Sequence, residues 1–430
     1  MLSVFVGRQV EILNRILIML FISSLVCLFI VNNQPSKFIL PGQEKKYIIK
    51  IETRVLEDSR EISGGKYVFP VEILYAYNTN LTSTSASGRL EIISTLKLFK
   101  GQNLYITKRN ILQDNSSVIY ADKRNIEICS WGNSFYDKIL KKRASILFFL
   151  KLRIKRMRQG PSVLFFALFT GVKENPKGEL FTLLRKAGAS HLLALSGMHL
   201  GIISVGVMFL LQSVLSRHIS IIFTLLLIFI YVFLVDAGPS LTRAAIFFTL
   251  LGFSSIRGLK VDIFHVLVIC FLIQVIINPG NVYTLSFKLS YLALGGIVLF
   301  GDKITGLLPG YIPYNLRVVL AASVSAQLFT APVVLQQFGV IYPVGIISGL
   351  ILVPLITVFM WLGLIALMPL PWILRNFIFL IIEKNYKLVE FFADVFSKFP
   401  VLNIKSADYL GIILIFIVSI SIIRKFKIIP

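Results

Sequence analysis

Apolar residues occur in this chain as long blocks rather than short stripes. Residues 12–31, 219–235, 261–277 and 407–423 each run roughly 17–20 residues with few or no charges. That is the length a helix needs to cross a hydrocarbon core of ~30 Å while bonding every amide within its own segment. Further blocks near 192–214, 239–256, 285–301, 316–336, 342–368 and 372–392 raise the expectation to about nine or ten spans. Segments 161–171 and 372–392 also fit a re-entrant or interfacial placement. The pattern therefore predicts a polytopic α-helical membrane protein.

Between residues 37 and 130 the pattern changes to alternation of β-favouring and polar residues. Lys46 to Val55, Lys66 to Tyr75 and Gly88 to Ser94 read as strands, punctuated by Gly64-Gly65, Asn78-Thr79-Asn80 and Ser83 to Gly88. About five short strands fit a small all-β barrel of the oligonucleotide/oligosaccharide-binding (OB) type, and fit a β-sandwich nearly as well. The expected organisation is an N-terminal anchor at 1–31, a β domain at 32–136, a basic interfacial helix at 137–160 and a transmembrane domain at 161–430. The anchor competes with a signal peptide, but its apolar run is long and no small-x-small cleavage site follows before Pro35. Arg8 and Arg15 favour a cytoplasmic N-terminus, which places the β domain outside.

Composition agrees with the membrane reading: 56% of residues are hydrophobic and 15% charged, against about 25% charged in an ordinary soluble domain. The net charge of +23 adds something new. Residues 32–160 hold 23 Lys or Arg against 11 Asp or Glu, so about half of the excess lies in one extramembrane segment. Within it Lys138, Lys141, Lys142, Arg143, Lys151, Arg153, Lys155, Arg156 and Arg158 surround Ile146-Leu-Phe-Phe-Leu150 without one acid. This is the composition of a helix in the membrane interface whose cations reach phosphate, of lipid or of nucleic acid. Cys27, Cys129 and Cys270 form no CxxC, so neither a disulfide framework nor a zinc site is expected.

Candidate chemistry lies in Ala187-Gly-Ala-Ser-His191-Leu-Leu-Ala-Leu-Ser196-Gly197-Met-His199-Leu-Gly201. In a helix from about residue 189, His191 and His199 would share a face, with Ser196 beside His199. No GxSxG elbow or orienting acid accompanies Ser196, and the two histidines lack further metal ligands, so no catalytic or metal site is expected. Glycines that let helices approach, with His and Ser bonding across the bundle, remain the plain structural reading. Asp236-Ala-Gly-Pro-Ser-Leu-Thr-Arg243 breaks one span and starts the next. Arg243 then needs a carboxylate, lipid phosphate or aqueous path, and Asp236 is the nearest candidate partner. Lys288 beside Ser286 and Ser290, and Gln327 between Ser323 and Thr330, interrupt two further spans. Such residues either join helices or line a passage. No nucleotide-binding loop, HExxH or EF-hand pattern is present, and no cofactor is expected.

At these residues the chain resembles the ComEC-type competence proteins, DNA-internalisation channels of bacterial cytoplasmic membranes. Ala187–Gly201 carries the strongest likeness. Gly238 to Ala245, Asn278-Pro279 with Leu285 to Ser290, Ser323 to Pro332, and Val353-Pro354 follow in family order. Lys288 stands where the family usually has glutamine. The resemblance implies an extracytoplasmic OB-like domain, passage of one DNA strand, and support of that passage by His191, Ser196, Gly197, His199, Arg243, Lys288 and Gln327. Phosphates would meet the cations of 138–158, and Tyr47, Tyr67 and Phe69 are candidates for stacking on bases or for plain β core. Single-stranded DNA and membrane lipids are the implied partners, with a separate DNA receptor, nuclease and ATP-driven translocase, and homo-oligomers remain open. Many relatives continue into a metallo-β-lactamase-like domain, which a chain stopping at Pro430 with four histidines is expected to lack. Two other readings remain: a secondary transporter of a smaller anionic solute, and a non-conducting membrane scaffold.

Overall fold

The structure, a computed structural model, describes residues 48–63, 65–78, 83–85, 89–107, 118–121, 123–131, 134–171 and 178–403. The expected anchor at 12–31 and span at 407–423 lie outside these residues, as do Cys27 and Tyr47.

The N-terminal part is a sheet of β1 (Ile48–Val55), β2 (Arg60–Ser63), β3 (Lys66–Asn78), β4 (Ser83–Ser85), β5 (Arg89–Ser94), β6 (Gln102–Thr107), β7 (Val118–Tyr120) and β8 (Ile126–Trp131). Its spatial order is β7-β5-β3-β1-β6-β8, with β2 and β4 also on β3. All pairings are antiparallel except β5 with β7. The long β3 reaches so many partners because its pairing with β1 shifts register twice, bending the strand pair. Alternation sends Ile51, Val55, Phe69, Val71, Leu90, Ile92, Leu104 and Ile106 into one core, while Lys50, Glu52 and Arg54 of β1 face outward. Phe69 is fully buried there, which removes it as a base-stacking residue. The hydrogen-bonding path of the described strands ends at β7 and β8 without joining them, so it makes no closed barrel.

Eleven α-helices follow among the described residues: α1 (Phe135–Ile154), α2 (Gln159–Thr170), α3 (Glu179–Lys186), α4 (Gly197–Gln212), α5 (Arg217–Val235), α6 (Pro239–Ile256), α7 (Ile263–Ile277), α8 (Leu285–Leu307), α9 (Tyr314–Phe338), α10 (Gly345–Ala366) and α11 (Trp372–Ser397). Five of them, α5, α6, α8, α9 and α10, are long and apolar enough to cross a membrane. Helices α2, α4 and α7 are apolar but shorter; the 12 residues of α2 rise only about 18 Å. The segment expected at 372–392 as a span or an interfacial helix is α11, which is not among those five; it buries Ile378, Ile382, Asn385, Val389 and Ala393 at helical spacing, and its exposed faces carry Lys384 and Lys387 together with Trp372, Phe377 and Phe391. The largely aliphatic core beneath these helices holds a cluster of rings: Phe165 of α2 lies 5.7 Å from Phe169 and 6.4 Å from Phe359 of α10.

Candidate functional site

The run Ala187–Gly201 is not one helix. Ser190–Leu193 forms a 3-10 turn, Ala194 is extended, and α4 begins at Gly197 with Ser196 as its N-cap. This corrects the expectation that His191 and His199 share a helical face. The physical reason is local: Ser196 and His199 form a reciprocal capping box that starts the helix there. The Ser196 N–H donates to His199 Nδ1 at 3.3 Å, and the Ser196 hydroxyl lies 3.1 Å from the same nitrogen. Because Nδ1 accepts, the ring proton sits on Nε2. His199 is fully buried, and among the described residues no hydrogen bond of good geometry reaches its Nε2. His191 is exposed on the 3-10 turn, against the Gly188 backbone.

Gly197 faces α6. A Cβ there would lie 3.1 Å from the Ala244 Cβ and 3.3 Å from the Arg243 guanidinium, so the glycine leaves room for the arginine. Arg243 is half-buried one turn inside α6, with its guanidinium 5.9 Å from the Tyr291 ring centroid. Among the described residues it has no carboxylate partner, and its buried Nε makes no hydrogen bond. Asp236, the expected partner, pairs with Lys100 of the β domain at 2.8 Å instead. Asp236 ends α5 in the left-handed conformation (φ 51°), before the Gly238-Pro239 start of α6, and Arg243 lies one turn further along.

Around Arg243 the neighbouring polar residues are paired with each other. Gln274 of α7 donates to the Pro239 carbonyl at 2.7 Å and accepts from the Tyr291 hydroxyl at 3.0 Å. Ser240 and Ser290 meet at 3.0 Å. Gln274, Tyr291 and Ser240 were not singled out in the sequence; the amide of Gln274, alone among the apolar residues of 266–277, was the available signal. Lys288 is exposed on α8 and is not brought to this cluster. Gln327 lies elsewhere, donating to the Tyr342 carbonyl at 2.8 Å. That carbonyl belongs to a segment packed on Gly188, whose φ of +72° and 2.7 Å from an added Cβ to the Gly345 Cα both require glycine. Ser348 donates to the Ala187 carbonyl at 2.7 Å and closes the same junction.

The basic segment divides into two roles by geometry. Lys138, Lys141, Lys142, Lys155, Arg156 and Arg158 are exposed, Lys151 and Arg153 half-buried, and Arg143 is 2% exposed. Arg143 donates from Nε to the Phe233 and Leu234 carbonyls at 3.0 and 2.9 Å, and from its two terminal nitrogens to Asp58 at 3.0 and 2.6 Å. It thus bonds the open C-terminal carbonyls of α5 and grips the β domain at once. Arg153 donates to the Leu367 carbonyl just past α10 at 2.6 Å, and Arg158 pairs with Glu383. Arg54 of β1 pairs with Asp137 at the start of α1. Ile146, Phe148, Phe149 and Leu152 are exposed beside these cations.

On the outer face of the sheet, Tyr77 and Tyr105 stand edge to face at 6.3 Å, with Lys50 over Tyr105 at 4.0 Å. The Tyr77 hydroxyl donates to Glu52 at 3.1 Å. Burial, then that bond to Glu52, pushes the Tyr77 phenol up to about 12, and burial with the Glu52 charge raises Tyr105. Among the described residues no group of three or more His, Cys, Asp or Glu could hold a metal.

Residues 168–426, more than half of the chain, match the family described as Competence protein. The chain belongs to the competence protein family. It is 25% identical over 243 residues to ComE operon protein 3 of Bacillus subtilis (strain 168), covering 56% of this chain and 30% of that protein. It is 26% identical over 272 residues to an uncharacterized protein of Aquifex aeolicus (strain VF5), covering 61% of this chain and 62% of the relative. The matches therefore span less than two-thirds of either relative. No solved structure matches. As a competence family member with five apolar helices of spanning length, the chain is a multi-pass membrane protein.

Proposed function

We propose that this competence family protein carries a single DNA strand across a bacterial cytoplasmic membrane, with the β domain on the outer side receiving it. The observation that carries the reading is Arg243. A guanidinium among apolar helices is costly unless an anion meets it. The surrounding amide, phenol and hydroxyl groups are engaged with other partners, and Arg243 is left with a ring face. A phosphate reaching its guanidinium would supply the missing charge. His199, Ser196 and Gly197 hold the start of α4 against Ala244 and Arg243, while His191, Lys288 and Gln327 would act along the path rather than at this point. The exposed cations of α1, together with Tyr77, Tyr105 and Lys50, offer phosphate and base contacts on the β-domain side. Glu52 and Glu127 temper that patch, so the strand's main electrostatic contact is α1. A separate receptor, nuclease and ATP-driven translocase complete the proposed system.

The deciding experiment is DNA uptake in a strain lacking the native gene, complemented with wild type, Arg243→Ala or Arg243→Lys at matched membrane levels. Arg243→Ala is expected to reduce uptake by about tenfold or more, with partial recovery in Arg243→Lys. Undiminished uptake in the deletion strain rejects the reading. The same unpaired guanidinium also suits a smaller anionic solute; retained DNA uptake with lost uptake of such a solute in the Arg243 variants would favour that alternative.

A further inference from the structure

Two clamps hold the turn from α5 into α6, and they belong to different parts of the molecule. On the α5 side, Lys100 of the β domain reaches Asp236 at 2.8 Å, and Arg143 of α1 bonds the Phe233 and Leu234 carbonyls. On the α6 side, Gln274 holds the Pro239 carbonyl and Ser290 meets Ser240. Gly238 lies between the two. Its φ of −69° and ψ of 174° suit any residue, and an added Cβ would meet nothing within 4 Å, so neither backbone nor space requires glycine there. What glycine adds at such a place is freedom to turn. A cavity of about 200 Å³, lined by Lys100, Tyr136, Arg143, Asp236 and Ala237 among others, gives Asp236 room to move.

The next charge along the chain from Asp236 is Arg243. Side chains on a helix lean towards its N-terminus, so Arg243 reaches back towards Pro239, from which it stands about 6 Å along the axis. Among the described residues Arg243 has no carboxylate partner. Asp236, the nearest acid in sequence, is instead held by Lys100. Lys100 is fixed by its own domain, because its N–H donates to Asp58, which Arg143 grips.

We propose that Lys100 controls whether Arg243 is open to an anion: a seated β domain holds Asp236 away, and an unseated one lets Asp236 pair with Arg243. The inference rests on the reading of Arg243 as the point that meets a passing phosphate, and it adds the regulation of that point. Tethered on the same turn, the Asp236 carboxylate is an intramolecular competitor at high effective concentration. Lys100 is therefore a positioning residue, acting on the anion only through Asp236. The passage would be closed by the protein's own carboxylate whenever the β domain is not docked.

The test labels purified full-length protein with phenylglyoxal, which attacks unpaired guanidinium groups, and reads Arg243 by peptide mass spectrometry. Arg243 is expected to react in the wild type and to be protected about fivefold or more in Lys100→Ala. Removing the carboxylate as well, in Lys100→Ala with Asp236→Asn, should restore the wild-type reaction, and Lys100→Arg should keep it. A purely structural clasp predicts otherwise: breaking it loosens the turn and raises labelling, and the second substitution does not reverse the first. Equal or raised labelling in Lys100→Ala, or a double variant that stays protected, overturns the proposal. DNA uptake by the same variants keeps this inference apart from the transport reading. Uptake that falls and recovers with the labelling upholds both. Protection of Arg243 in Lys100→Ala with uptake unchanged upholds the exchange of partners and rejects DNA as the anion that Arg243 meets.

Discussion

Arg143 offers the sharpest check on how the β domain is held to the helices. Its guanidinium is 2% exposed and makes four hydrogen bonds, two to the end of α5 and two to Asp58. Arg143→Ala leaves the Asp58 carboxylate with the Lys100 N–H alone and takes the guanidinium from two helix-terminal carbonyls, a loss of about 3–5 kcal/mol for a broken buried pair. Arg143→Lys keeps the charge without the fork and should fall between. Asp58→Ala leaves a buried guanidinium that still has two carbonyl acceptors, so its cost should be smaller than that of Arg143→Ala. The pairwise term comes from a double-mutant cycle in denaturant, followed by the fluorescence of Trp131, which packs where Leu140 of α1 meets Gly101. The double variant should cost less than the sum of the singles by about 1.5–3 kcal/mol. Strict additivity, or an Arg143→Ala loss below about 0.5 kcal/mol, would refute the claim that one guanidinium joins the two parts.

Three further outcomes follow from other parts of the molecule. Gly188→Ala places a Cβ 2.7 Å from the Gly345 Cα at a left-handed backbone position, and should reduce folded protein recovered from membranes, measured by size-exclusion profile. Gln274→Leu removes the bridge from Pro239 to Tyr291 and should cost about 1–3 kcal/mol in detergent unfolding; a neutral result would mean the bridge is idle. The Tyr77 phenol titrates near 12 in the folded chain, above the ordinary value of 10.0, so its contribution to stability is complete below pH 10 and is lost as pH rises towards 12. Tyrosinate absorbance should show this late ionisation moving to lower pH in Glu52→Gln, and no movement would discount the bond to Glu52.

Much of this architecture was readable from periodicity. The block lengths at 219–235 and 239–256 became α5 and α6 with nearly the same ends, because a Gly-Pro pair marks a helix start on its own. The alternation of Lys66 to Tyr75 became β3, though the sheet has more strands than expected, and its shifted pairing depends on β1, far away in sequence. The break before Gly197 was missed because His199 substitutes for the usual Glu or Gln of a capping box. Partner choice was least legible. Proximity in sequence suggested Asp236 for Arg243, but a left-handed residue turned the carboxylate to Lys100, 136 positions earlier. Nothing local in the basic segment separates Arg143 from Lys142; only the packed structure makes one a joint and leaves the other exposed.

The Lys100–Asp236 and Arg143–Leu234 contacts also impose a chronology. The cations lie in segments synthesised before α5, while the carboxylate and carbonyl that receive them come from the end of α5 and the turn after it. Arg143 can meet Asp58 as soon as α1 is made, but its Nε and the Lys100 ammonium find these partners only once the end of α5 has been synthesised. The seam between sheet and helices is therefore completed in two stages, the second of them set by the arrival of α5.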